Sequence, residues 1–337
     1  MNPSLSSFKD RLLEVLLQFL WRQWSALGVA GYARTQDPWM IDPEALLLFS
    51  LPVARSDPRL FDEIIDWLHQ NGAMISLQRL QTLSKEYQLG DFTLLRPVAE
   101  EMATTSPHAK WRLLEKMGAP DPAAEAPRPL FEGVPVFAEP DAHFQRWGWQ
   151  RGRIERRGMS QAPRPDQPAT FLFKLRSLFG RQVRAEVMAW LLSHEHGHPA
   201  EIARQTGYFA RSVQLVLNEL ETSGLIRSYR IGREKHFSLL HAQWRFLISW
   251  SPAETFPIWI AWAPLFRTLQ TFITCLSQPG LDERSERFQS VKLREALNDS
   301  MPALVQAGIA HRLQSSPQLT GSALITALLA DIETILG

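Results

Sequence analysis

The chain has 337 residues, 45% of them hydrophobic and 21% charged, a formal net charge of +1 and a single cysteine. That length allows two or three domains with a substantial buried core, and the near-zero charge excludes a general polycation, so affinity for nucleic acid has to come from local segregation of charge. Cys275 alone excludes an intrachain disulfide framework and fits a reducing cytoplasm.

At the N-terminus, Leu12, Val15, Leu16, Phe19 and Leu20 form a helical stripe that Gly28 closes, and Glu14 and Gln18 interrupt the apolar run, so no secretory signal is expected. Asp42-Pro43-Glu44 reads as a helix start, with Asp42 as N-cap, and Asp57-Pro58 repeats the device. The helix after Pro58 turns Leu60, Phe61, Ile64, Ile65 and Leu68 inward and stops at Asn71-Gly72. It leaves Asp62, Glu63 and Asp66 together on an acidic face. Without complementary ligands at defined spacing, that face is expected to be solvated rather than metal-binding. Residues 59–95 have the outline of a degenerate helix-turn-helix, with Ile75–Leu83 as its middle helix and no basic face or wing after it.

Between Pro120 and Pro168 prolines recur, and from Arg146 to Arg164 six arginines face Glu155 alone, so a long extended connector is expected. Two readings of it stay open. Arg146, Arg151, Arg153, Arg156 and Arg157 act as an arm on a DNA backbone, or they meet the acidic N-terminal surface while Trp147 and Trp149 pin the connector down.

A short helical segment around Leu175–Gly180 follows, then a helix from Pro199, a turn at Gly207, and a helix carrying Val213, Leu217 and Leu220 on one face and ending at Gly224. Leu225–Ile231 and Glu234–Leu239 then alternate as two strands joined by Gly232-Arg233, a glycine-first hairpin turn. In Leu175-Arg176-x-Leu178-Phe179-Gly180, Glu201-Ile202-Ala203 and Leu220-x-x-x-Gly224-Leu225-Ile226, this stretch resembles bacterial winged-helix transcription regulators. The resemblance covers about a fifth of the chain. It implies a dimer that binds DNA near a promoter, with the hairpin as wing.

On that basis Arg211, Gln214 and Asn218, which share the outward face of the third helix, suit direct reading of base edges: arginine donates twice to guanine, and a carboxamide matches adenine. Arg204, Ser212, Arg227, Arg230, Arg233 and Lys235 are expected on phosphates, and Glu219 and Glu221 elsewhere. His194-Glu195-His196-Gly197-His198 satisfies the zinc-protease pattern H-E-x-x-H only on paper, because Gly197 and Pro199 put it in a loop rather than on a helix. No phosphate-cradling glycine loop, Walker lysine or nucleophile elbow is present, so no enzymatic activity and no cofactor are expected.

Beyond residue 240, Trp244, Phe246, Leu247 and Trp250, then Trp259–Leu276, read as apolar helix, with Arg267, Thr268, Gln270 and Thr271 ruling against a membrane span. These side chains form an internal core, a homodimer interface or a ligand pocket. Met301–Leu336 reads as two short helices.

The expectation is a mainly α, multi-domain cytoplasmic protein: a helical N-terminal domain (1–120), a Pro/Arg-rich connector (121–170), a central winged helix-turn-helix of three helices and a hairpin (171–240), and a helical dimerisation region (241–337). Its expected function is sequence-specific binding of double-stranded DNA, most simply as a dimeric repressor. The alternatives are a non-enzymatic assembly protein, docking partners through its winged domain and acidic N-terminal helices, and a regulator that senses metal through His194, His196 and His198.

Overall fold

The computed structural model describes residues 5–31, 37–105, 109–115, 127–134, 139–251 and 254–337. The protein is mainly helical. In chain order α1 spans Leu5–Ala26, α2 Pro43–Val53, α3 Pro58–Asn71, α4 Leu77–Tyr87, α5 Phe92–Thr105 and α6 Arg112–Glu115. Then come β1 (Arg128–Pro129), α7 (Ala142–Arg146), β2 (Trp149–Gln150), α8 (Phe171–Phe179), α9 (Val183–Ser193), α10 (Pro199–Thr206), α11 (Ala210–Thr222), β3 (Arg227–Ile231) and β4 (Glu234–Ser238). The chain finishes with α12 (His241–Trp244), α13 (Trp262–Leu276), α14 (Glu286–Gln306) and α15 (Gly321–Leu336). Among the described residues the named strands form two pairs, β1 parallel to β2 and the antiparallel hairpin β3–β4.

The helix starts follow the caps. Asp42 accepts a hydrogen bond from the amide of Ala45 and Asp57 from that of Leu60, both at 3.1 Å, with proline in the first turn each time. At its far end α3 stops at Asn71, and Gly72 continues in a right-handed conformation into a 3-10 turn. The C-terminal elements are longer than expected: α14 runs through Pro302 without stopping, so Met301 lies within a long helix instead of opening a short one.

Apolar side chains sort into two cores. The larger joins α1–α5 with the connector residues Leu130, Phe131, Phe144 and Trp149, and with α13–α15. The smaller joins α8–α11, the hairpin and Trp244, Leu247, Ile248 and Trp259, with Met40 reaching in. The first and last segments of the chain therefore share one interior. Helix α13, whose aromatic density suggested a dimer interface, is covered within the chain by α2 and α14, and its Phe266 stacks on Phe49 with ring centroids 4.6 Å apart. That burial removes the reason for assigning this helix to contact with a second copy.

The connector residues described here lie against the larger core. Asp66 accepts from the amides of Gly158 (2.9 Å) and Ser160 (3.2 Å), and Asn71 donates to the carbonyl of Gln161 (3.0 Å). Gly28, at φ +107°, lies so close that a Cβ there would meet the Gln161 carbonyl at 2.4 Å. Glu63 and Asp66 are consequently buried rather than solvated, which corrects the expectation of an open acidic face. The prolines at 120 and 122 and that at 135 lie outside the described residues.

Where the two cores meet, five charged side chains are buried together. All five N–H donors of Arg176 are taken: two by Glu44 (2.8 and 2.7 Å), two by Glu186 (2.9 and 2.6 Å) and one by the Met74 carbonyl (3.2 Å). Arg79 pairs with Asp42 (2.6 Å) and Glu44 (2.9 Å) and donates from Nε to the carbonyl of Thr206 at the end of α10 (2.9 Å). Glu44, fully buried, accepts in addition from the amide of Ser76 (2.6 Å). Burial by itself would raise the Glu44 carboxyl, but Arg176 and Arg79 hold it down at about 2. In Glu186 burial wins over the same two arginines, and its carboxyl is raised.

Candidate nucleic-acid interface

The smaller core presents two adjoining solvent-facing features, the outer side of α11 and the hairpin. Helix α10 ends at Gly207, which takes the left-handed conformation (φ +71°), and the chain re-enters helix at Ala210. Ile202 and Ala203 of α10, and Val213, Val216, Leu217 and Leu220 of α11, point into the core. Outward on α11 stand Arg211, Leu215, Asn218 and Glu219, exposed, among others, with Ser212 and Gln214 half-buried. Gly224 (φ +75°) and Gly232 (φ +61°) make the turn out of the helix and the turn of the hairpin.

The hairpin pairs Arg227 with Ser238 through Ile231 with Glu234. Its root is fixed by Gly197, whose amide donates to the Phe237 carbonyl and whose carbonyl accepts from the Phe237 amide, both at 2.9 Å. A Cβ at Gly197 would lie 2.2 Å from the Trp190 ring, so no larger residue fits there without displacing that indole.

The expected contact residues differ in how far they are committed. Arg211, Arg227, Arg230 and Arg233 are exposed, and among the described residues no ion pair or hydrogen bond holds their guanidinium groups. Gln214 donates to the side-chain oxygen of Asn218 at 2.9 Å, so the two carboxamides act as one unit, leaving an acceptor on Gln214 and donors on Asn218. Lys235 is paired with Glu221 at 2.6 Å, and that contact, with the Ser228 hydroxyl, lowers the Glu221 carboxyl. Glu219 faces Arg184 rather than the outward arginine. Arg204 is exposed, but its backbone carbonyl accepts from Tyr87 (2.9 Å) and Gln306 (3.2 Å), which ties α10 to the larger core.

The connector arginines are mostly engaged elsewhere. Arg151 is 3% exposed; it pairs with Asp62 at 2.8 Å and lies over the rings of Phe61, Phe131 and Phe144 at 5.2–5.9 Å. Arg146 meets Glu100, Arg156 meets His69 and Arg157 stands 3.6 Å from Glu63. Arg153 remains exposed beside the same acidic groove. Trp149 is buried between Arg55 and Arg128, and Trp147 donates to Glu100 at 2.9 Å. Of the two readings of the connector, docking on the N-terminal helices is the one found: Arg151, Arg146 and Arg157 meet Asp62, Glu100 and Glu63 there. Arg151 cannot reach a DNA backbone.

The histidine loop is likewise engaged. His194 stacks flat on Trp190 at 3.8 Å, and its burial lowers the imidazole pKa. His198 caps α10, accepting from the Ala200 amide at 3.3 Å. His196 and His198 instead gather around His236 of β4, with ring centroids 5.2 and 5.8 Å away. Among the described residues no group of histidine, cysteine or carboxylate side chains could hold a metal ion. None of the helices described is long and apolar enough to cross a membrane.

Two exposed side chains at this surface escaped the sequence reading, Phe209 (64% exposed) just before α11 and Leu215 (56%) within it. The signal was available for Leu215, which falls off the stripe set by Val213, Val216, Leu217 and Leu220. Comparison of the chain with protein-family models, with curated proteins and with solved structures gives no match.

Proposed function

We propose that residues 171–240 act as a winged helix-turn-helix and that the protein binds double-stranded DNA in a sequence-specific manner, as a transcription regulator and most simply a repressor that occludes a promoter. The observation that carries this is the pairing of uncommitted cations: Arg211 on the outward face of α11, and Arg227, Arg230 and Arg233 on the adjoining hairpin. In a protein of net charge +1, exposed arginines without an internal partner suit a polyanion. Arg211 and the Gln214–Asn218 pair then read base edges in the major groove. Ser212, Arg204, the hairpin arginines and, more weakly, Lys235 hold phosphates. A homodimer on a palindromic site is the simplest arrangement; the joining surface lies outside the apolar face of α13, which is already covered.

The test is selection of short genomic duplexes on the purified protein near physiological salt, beside an Arg211→Ala, Gln214→Ala double variant. Enrichment of a palindromic site that the variant loses supports the proposal. Weak, uniform retention by both overturns it in favour of an assembly protein, a reading to which the exposed Phe209, Leu215 and Phe246 also lend themselves.

A further inference from the structure

Leu215 is an apolar side chain held in water by a helix that had a better use for it. The buried stripe of α11 is complete without it, and it belongs to neither core nor to the partly buried residues packed on them. At 56% exposure it contributes little to folding. Its neighbours on the helix surface are Arg211 one turn before, and Asn218 and Glu219 one turn after. Glu219 is drawn aside by Arg184, and Asn218 is bound to Gln214, so the side chain stands among polar groups without being covered by them.

In the major groove only thymine offers an apolar group, its C5 methyl, and leucine has no hydrogen-bonding atom with which to address any other base edge. We propose that Leu215 determines specificity by packing on the methyl group of a thymine beside the base pair that Arg211 reads. This rests on the DNA-binding function proposed above. Side chains one helical turn apart are separated by about 5.4 Å, and base pairs by about 3.4 Å, so the thymine falls one or two steps from the Arg211 contact. The uncommitted arginines of the adjoining hairpin supply the charge complementarity that seats this face on DNA rather than on an apolar protein surface.

The experiment uses the full chain and the best duplex from the genomic selection, with each thymine of the site replaced in turn by uracil. This removes the methyl and leaves every hydrogen-bonding group in place. Wild type and Leu215→Ala are titrated against each duplex; alanine is a strong helix former at an exposed site, and an unchanged melting temperature verifies that the variant is folded. The expected result is one uracil position per half-site that weakens wild type about four-fold, the worth of one buried methyl group. Leu215→Ala should bind the thymine duplex about as weakly and be indifferent to uracil at that position. The inference is overturned if wild type tolerates every uracil, or if Leu215→Ala keeps the same uracil penalty, which would give the methyl to another residue. A selection that enriches no duplex overturns the DNA-binding proposal and this inference with it, whereas a site bound specifically without methyl dependence overturns the inference alone.

Discussion

At the junction of the two cores, Arg176 has each of its five donors taken by Glu44, Glu186 and the Met74 carbonyl, and Arg79 is held by Asp42, Glu44 and the end of α10. On the hairpin, Arg227, Arg230 and Arg233 carry the same guanidinium group into solvent with no partner among the described residues. The difference lies in what each set does when its surroundings change. A buried guanidinium already desolvated depends on its carboxylates, because losing one leaves a charge uncompensated in a low dielectric. An exposed guanidinium depends on nothing within the chain, which leaves it available to an external anion. The first kind fixes how the smaller core sits on the larger; the second is where a ligand is to be sought.

The sharpest way to break the comparison is Glu44→Ala. It strips both buried arginines of a shared partner and should cost roughly 3–5 kcal/mol, read as a lowered denaturant midpoint at unchanged slope. A loss under about 1 kcal/mol would mean that water enters the junction. Acid acts on the same residue. Because Glu44 is held at about 2, below the usual value of 4.5, its contribution is present above pH 4.5 and is lost as pH falls through about 2, of order 3 kcal/mol in all. Glu186 has the opposite sign: its raised carboxyl favours the folded state when protonated, and that stability disappears as pH rises through its elevated value. Glu186→Gln should therefore steepen the acid-side fall of the melting temperature, since the contribution opposing that of Glu44 is gone.

Effects on the exposed set should be smaller and visible only with DNA. Arg230→Ala and Arg233→Ala should leave thermal stability within about 0.5 kcal/mol of wild type, and each should lower the slope of log affinity against log salt by about 0.9 on all sequences alike. Arg211→Ala should cost roughly 1–3 kcal/mol on the selected site and relax its sequence preference. Lys235→Ala should give the smallest change in salt slope, because its ammonium already has Glu221 at 2.6 Å. If Lys235 and Arg230 prove equal, prior commitment to an internal partner does not decide which cations meet DNA.

Local chemistry in the sequence announced much of this. Asp42 and Asp57 declared their helices by a capping side chain followed by proline, Gly207 and Gly232 marked turns that need a left-handed residue, and the 3.6-residue stripes of α10 and α11 placed Arg211 and Asn218 outward. Helix α9 was hidden because Val183–Ser193 is apolar nearly all round and has no face from which a period can be read. Contacts between distant segments were hidden for a different reason. Arg176 lay within a recognised pattern, yet nothing near it in sequence announced that Glu44, 132 residues away, would bury it. The connector arginines were legible as a charge run, but which surface they meet depends on how α3 and the connector come together, and single-residue chemistry suits a phosphate and a carboxylate equally well.

Finally, the path of the chain around the smaller core has its own consequence. The backbone passes into the smaller core after Ala169 and leaves it after Trp259, and Ala169 and Ile258 at this crossing are hydrogen-bonded to consecutive positions: the Ile41 amide donates to the Ala169 carbonyl (3.1 Å) and the Met40 amide to that of Ile258 (2.9 Å). The two crossings therefore meet the host at one short stretch, Met40–Ile41. Topologically the intervening ninety or so residues are a cassette inserted into a host whose ends it hardly separates. A short bridge across that gap would close the host without unthreading it, and the cassette could be transplanted into another loop of equal span. What would not travel with it is the host side of the junction: the transplanted piece would carry Arg176 without Glu44 and the Thr206 carbonyl without Arg79, so its portability is limited by these buried contacts rather than by the span of its ends.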